Sequence, residues 1–225
     1  IELSHEALIS YPASKNPAKA ALSIHNPKNE EVFVRIGISA VDIEGAKKNL
    51  EQEIGNKTFE QVKQEAQQIW ERQLEKIVVE DTNKDNKVNF YTSLYHTMIA
   101  PNLYQDVDGR YRGMDLKIHQ NKAFEYYTVF SLWDTYRAAH PLYTSIEQEK
   151  TNDFVNTFLA KYDEGGIMPI WDLSACYTGC MIGYHAVPVV ADAYLKGIRD
   201  FDVEKAFEAM KHSATRDKFG LVLLL

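Results

Sequence analysis

The sequence predicts a mixed, mainly α protein that opens with an all-β stretch. Three observations carry this. Apolar and polar residues alternate from Glu31 to Ala40, helical spacing takes over at Thr58, and from Val88 onward helical runs follow one another through loops without long strands. Such helix pairs suit an α/α toroid or a bundle, where side chains from several helix ends gather at one end.

In order along the chain, Ala20 to His25 reads as a short strand and Asn26-Pro27-Lys28-Asn29 as a turn, so the pattern predicts a hairpin with the strand 31–40. Val32, Val34, Ile36, Ile38 and Ala40 would form its buried side. Asp42 to Glu53 is a short amphipathic segment stopped by Gly55-Asn56, and the chain changes character near residue 55. Thr58 and Gln61 form a capping box ahead of Phe59, Val62, Ala66, Ile69 and Trp70, which predicts a helix to about Lys76. Its other face is highly charged, as in a solvated linker helix lying on a neighbouring domain. Asp81 to Lys87 imitates the start of a calcium loop, but Asn86 stands where Gly belongs and Thr92 where a bidentate Glu belongs, so a polar turn is the better reading.

Beyond Val88 the spacing predicts a helix with aromatics on more than one side, ended by Pro101-Asn102. Asp108-Gly109 predicts a small hairpin between Tyr104 and Tyr111. Further helices are expected at 127–143 up to Pro141, at 152–162 closed by Gly165-Gly166, at 181–196 with a kink or a start near Pro188, and at 203–213.

The chain has 225 residues, about one and a half domains at about 150 residues each. With 45% hydrophobic and 25% charged residues it is ordinary globular protein, which excludes disorder, collagen and coiled coil. A net charge of −7 argues against nucleic acid as a partner. No apolar run approaches the roughly 20 residues that cross a bilayer, and the first residues lack a signal pattern, although a removed signal leaves no trace in a mature chain. Cys176 and Cys180 are four apart, which on a helix would put them on one face with neither Cβ aimed at the other, and with His185 they fall short of the four ligands of a structural zinc site, so free thiols are expected.

Three clusters combine aromatic and polar residues. In Ser131 to Arg137, Trp133 offers a flat apolar surface beside Asp134 and Arg137, a grouping that sugar sites use and that an i,i+3 ion pair beside a core tryptophan explains equally. In Gly165 to Asp172, glycines and a proline shape a loop presenting Trp171, although packing under the loop accounts for the same residues. In the segment from Gly183 to Gly197, His185 reads either as a hydrogen-bonding ligand or as a core histidine.

Taken in order, Phe90 to His96, Ser131 to Arg137, Gly-Gly-Ile-Met-Pro-Ile-Trp at 165–171, Met181 to His185 and Asp192 to Gly197 resemble glycoside hydrolase family 92, the calcium-dependent exo-acting α-mannosidases. Arg35 to Ser39 with Gly45-Ala46 and Asn49-Leu50 looks like the sandwich end of the same family. The resemblance implies the end of an N-terminal β-sandwich over 1–55, a linker helix over 56–80 and the first part of an (α/α)6 barrel over 81–225. It also implies inverting hydrolysis of terminal α-mannosides of glycans, with calcium gripping the 2- and 3-hydroxyls, and a protein exported from the cytoplasm. Trp133, Asp134, Arg137, Trp171 and His185 become candidates for the terminal-sugar pocket.

Two departures accompany the resemblance. The family's general acid falls at Tyr177, and a phenol of pKa about 10 is a poor donor to a departing alcohol. A mannosyl phosphodiester, whose leaving group needs no proton, or a mannose-binding or scaffold protein without activity would both fit. Six helical hairpins also need more than the roughly 145 residues after Asp81, so a partial chain is expected, with the base beyond residue 225. The apolar ending at 219–225 fits that expectation.

Overall fold

A computed structural model describes residues 1–10, 21–26, 28 and 30–216 of the chain. The first four strands are β1 (Glu2–Leu3), β2 (Ala7–Ser10), β3 (Ala21–Ile24) and β4 (Val34–Arg35). They pair antiparallel as β1 with β4 and β2 with β3, with Ala7 opposite Ile24 and Leu3 opposite Val34. The expected hairpin between 20–25 and 31–40 is therefore corrected: β3 takes an earlier partner, and only two residues of 31–40 join a ladder. The turn expected at 26–29 lies partly outside the described residues, and the apolar ending at 219–225 lies wholly outside them.

From Val34 to Ser39 the alternation survives with its faces exchanged, while Val32 stays half-buried and Phe33 exposed. Val34, Ile36 and Ile38 are exposed at 49%, 58% and 79%, whereas Gly37 and Ser39 turn inward. The reason is close approach. Helix α1 (Ile43–Glu53) presses on this segment so tightly that a Cβ on Gly37 would come 2.2 Å from the Ala46 carbonyl oxygen. The amide of Gly45 donates to the cap residue Asp42 at 2.6 Å.

Helix α2 (Phe59–Leu74) begins at the predicted capping box: Thr58 N–H donates to Gln61 Oε1 at 2.8 Å, and Gln61 N–H to Thr58 Oγ1 at 3.3 Å. None of its residues is buried, in keeping with the solvated reading. Trp70 meets Tyr95 of α3 (Lys84–Thr97) with ring centroids 4.6 Å apart. Asn83 caps α3, so the calcium-like run is a helix start, with Asn86 and Thr92 already inside the helix.

Between α3 and the next helix lie β5 (Asn102–Leu103), β6 (Arg110–Arg112), β7 (Ile118–Gln120) and β8 (Tyr127–Thr128). The hairpin is β6 with β7, and β5 pairs with β8. Asp108-Gly109 makes a turn ahead of the hairpin, with Gly109 N–H on the Asp106 carbonyl at 2.8 Å, rather than forming the hairpin's own turn. The single helix expected over 127–143 is corrected as well. It is β8, a loop, α4 (Leu132–Thr135) and α5 (Ala139–Ile146), with Pro141 in the first turn of α5.

Helix α6 (Gln148–Gly165) ends on Gly166 at φ +77, the left-handed cap that its two glycines predict. After it come β9 (Asp172–Leu173), β10 (Cys176–Tyr177), α7 (Ala186–Leu195) and α8 (Val203–Thr215). Helix α7 starts just before Pro188, five residues later than the pattern suggested, because 178–185 is irregular loop. Cys176 is thus on a strand rather than a helix, and both thiols are free and exposed.

The core lies among α5, α6, α7 and α8. Phe130, Leu132, Phe154, Val155, Phe158, Val190, Ala193 and Ala209 are buried there, each exposed by 3% or less. Phe158 is edge-on to Phe130 with centroids 4.8 Å apart, and truncating such a ring typically costs about 3–5 kcal/mol. This packed block fixes the residues that flank the candidate site.

Candidate functional site

The short helix α4 carries Trp133 and Asp134, and its entry is pinned to the next loop. Ser131 forms an isolated antiparallel bridge with Trp171, and Leu132 N–H donates to the Ile170 carbonyl at 3.3 Å. Two stretches forty residues apart in sequence therefore run side by side, each carrying a tryptophan. Trp133 is 37% exposed and Trp171 half-buried.

Asp134 and Arg137 do not pair. The Asp134 carboxylate accepts the Ser131 hydroxyl, and the Arg137 guanidinium lies 5.2 Å from the Trp133 ring centroid and 5.3 Å from that of Tyr136. A cation over aromatic faces is held electrostatically by the ring quadrupoles, which leaves its N–H groups for other acceptors. Across from it, His185 packs on Tyr136 with centroids 4.4 Å apart. Burial, assisted by the positive charge of Arg137, lowers the imidazole below its ordinary 6.5, so it is neutral at pH 7. Gly183, at φ +87, leaves the room this ring needs: a Cβ there would come 2.4 Å from His185 Cε1.

The β9–β10 hairpin sets Tyr177 opposite Asp172. Thr178 ties the far end of the hairpin to Trp171, its N–H and hydroxyl donating to the Trp171 carbonyl at 3.3 and 2.8 Å. Burial pushes the Tyr177 phenol up to about 12, which makes it a weaker acid than an ordinary tyrosine.

The five expected site residues are linked through their neighbours: Trp133, Asp134 and Arg137 lie on α4 and its exit, the bridge joins the entry of α4 to Trp171, and His185 packs on Tyr136. The arrangement offers two apolar faces, a guanidinium, a carboxylate and a neutral imidazole, the mixture that binds a sugar ring by stacking and by hydroxyl hydrogen bonds. Among the described residues, no three His, Cys, Asp or Glu side chains come together to hold a metal ion.

Sequence reading overlooked the support beneath this shelf. Lys161 and Asp172 form an ion pair at 2.7 Å with side chains 1% and 0% exposed. The ammonium lies 4.8 Å from the Tyr126 ring centroid. The signal was present, because Lys161 continues the buried helical face of Phe154 and Phe158, where a lysine demands a partner. Tyr136 was overlooked as the platform for His185.

A family model described as "Glycosyl hydrolase family 92 catalytic domain" matches residues 45–221. Among solved structures, a family GH92 α-mannosidase from Bacteroides thetaiotaomicron is 43% identical, with a TM-score of 0.75 over 80% of this chain and 24% of its own. A family GH92 inverting mannosidase from Bacteroides thetaiotaomicron VPI-5482 is 28% identical, with a TM-score of 0.85 over 96% of this chain and 31% of its own. An "Uncharacterized secreted glycosidase" of Arthroderma benhamiae is 27% identical over 188 residues, 81% of this chain and 20% of that protein. The chain thus spans between a fifth and a third of the length of these relatives.

Proposed function

Because this chain belongs to glycosyl hydrolase family 92, we propose that it forms the sugar-binding wall of an exo-α-mannosidase that removes terminal α-linked mannose from glycans by inverting hydrolysis. The observation that carries the reading is the Ser131–Trp171 bridge, which joins the segment bearing Trp133 and Asp134 to the one bearing Trp171, with Arg137 over the Trp133 ring and His185 on Tyr136. The 43%-identical mannosidase has also been solved in complex with mannoimidazole, which supports a mannose-shaped ligand.

In this reading the two indoles stack on the apolar face of the sugar. Asp134 accepts from hydroxyls, Arg137 donates to oxygens of the substrate, and His185, being neutral, does either according to its tautomer. Inversion needs an acid to protonate the leaving oxygen and a base to activate water on the opposite face of the ring. A phenol pushed up to about 12 holds its proton too tightly to serve a departing alcohol at neutral pH. The preferred substrate is accordingly a mannosyl phosphodiester, whose phosphate departs unprotonated.

Calcium enters the proposal through the family alone. The described residues bring no three His, Cys, Asp or Glu side chains together, so by themselves they do not fit the ion. The architecture proposed is the end of a β-sandwich over 1–55, a linker helix over 56–80 and part of an (α/α)6 barrel over 81–225. Its support is the two strand pairs ahead of α1, the unburied α2 and the mainly helical stretch that follows. Export is proposed from the secreted fungal relative, and no helix among the described residues is long and apolar enough to cross a membrane.

The test is mannose release followed by NMR from α-mannobiose and from a mannosyl phosphodiester, using the whole protein with calcium and with a chelator. Release from the phosphodiester alone, with β-mannose appearing first and chelation abolishing it, is expected. Tyr177 also favours a second reading, an inactive mannose-binding protein. Saturable mannose binding with no release from either substrate would establish that reading and remove the enzyme.

A further inference from the structure

The Asp172 carboxylate does more than neutralise Lys161. Its Oδ2 accepts Lys161 Nζ at 2.7 Å and the Thr128 hydroxyl at 2.8 Å, while Oδ1 faces the Phe130 N–H at 3.4 Å. Between those two anchored residues stands Val129, at φ +66. A β-branched side chain in the left-handed region costs about 1–3 kcal/mol and persists only where its surroundings over-determine it. This kink turns the chain out of β8 toward Ser131 and α4.

We propose that Asp172 is a positioning residue for the sugar pocket: by clamping Thr128 and Phe130 on either side of Val129, it holds the kink that sets the entry of α4, and with it Trp133 and Asp134, against the segment that carries Trp171. The inference rests on the pocket reading given above. Burying an ammonium and a carboxylate is expensive, and a well-packed apolar pair often serves stability as well or better. What an apolar pair lacks is acceptors for Thr128 and Phe130, and those bonds are what Asp172 adds. The seam continues from this point through the Leu132–Ile170 hydrogen bond and the Ser131–Trp171 bridge, so a shift at Val129 reaches both tryptophans.

The decisive comparison uses the whole protein in three forms: wild type, Thr128→Val, and Thr128→Val with Val129→Gly. Valine is close in shape to threonine and deletes the hydroxyl while leaving the Lys161–Asp172 pair in place. Loss of a hydrogen bond to a charged group should weaken D-mannose binding about tenfold by calorimetry. Amide exchange over 129–136, read by mass spectrometry, should rise at the same time. Glycine adopts φ +66 without strain, so the double variant should bind within about threefold of wild type. Wild-type affinity in Thr128→Val, or no recovery on adding Val129→Gly, would overturn the proposal, as would a rise in amide exchange spread evenly over the fold, because a role confined to bulk stability loosens every segment and not 129–136 alone. If the wild-type protein fails to bind mannose, the functional reading falls instead. The exchange data then decide this inference separately, and unchanged protection over 129–136 in Thr128→Val overturns it.

Discussion

Tyr136 and His185 pack ring on ring, 4.4 Å between centroids and 32° from parallel, although α6 and the whole β9–β10 hairpin separate them in sequence. The contact fixes the imidazole, and burial with Arg137 nearby keeps it neutral. Its folded pKa lies below its unfolded value, so the neutral ring is fully populated above 6.5 and is lost as pH falls through the lowered folded value. Mannose affinity should stay flat from pH 8 to 6.5 and decline only in more acidic buffer. His185→Gln, which cannot titrate, should remove that acid limb, and a limb unchanged in the variant would assign it to another group.

Tyr177→Glu should convert the leaving-group preference. A positioned carboxylic acid contributes typically 10²–10⁴-fold, so α-mannobiose hydrolysis should rise by about two orders of magnitude or more. Phosphodiester cleavage, which needs no proton donor, should change little. Equal gains on both substrates would contradict the reading of position 177 as the acid's place.

Gly183→Ala should disturb the pocket through His185. The new Cβ would sit 2.4 Å from His185 Cε1, and φ +87 disfavours any L side chain. The expected cost is about 1–2 kcal/mol of stability, with mannose affinity reduced as far as in His185→Ala. Calorimetry on both variants makes the comparison, and a Gly183→Ala protein of undiminished affinity would show that the ring is not held by this contact.

His140 should make the fold acid-sensitive. It is enclosed by Phe130, Tyr143, Phe154 and Phe158, and burial pushes its pKa down to about 4. Because the unfolded chain takes up this proton near 6.5, the associated stability is complete above 6.5 and disappears as pH falls through 4. The span corresponds to about 3 kcal/mol. In thermal melts between pH 7 and 4 the wild type should lose stability relative to His140→Leu, and parallel curves would refute the assignment.

Legibility in the sequence followed the range of the forces involved. The Thr58–Gln61 box, the Asp42 and Asn83 caps and the Gly166 stop are local chemistry; α1 and α2 lie where the pattern puts them, while α3 and α6 each begin four residues earlier than expected. The stretch 127–143 was misread because helical spacing of its aromatics says nothing of Val129, whose left-handed backbone breaks the run and depends on a carboxylate forty-three residues away. The faces of 34–39 are exchanged for a similar reason, since the demand comes from α1 pressing on Gly37. The five site residues were named from a family pattern, whereas Lys161 and Asp172 follow from burial, which only the folded chain displays.

Helix α2 carries a further consequence. A helix with a reciprocal cap and no buried residue keeps its shape by its own backbone, and its 16 residues at about 1.5 Å each make a rod about 24 Å long. Such a rod acts as a ruler. Inserting one residue within it would lengthen the rod by about 1.5 Å and swing everything beyond Glu75 through about 100° relative to everything before Thr58, so both its length and its phase are set to the residue.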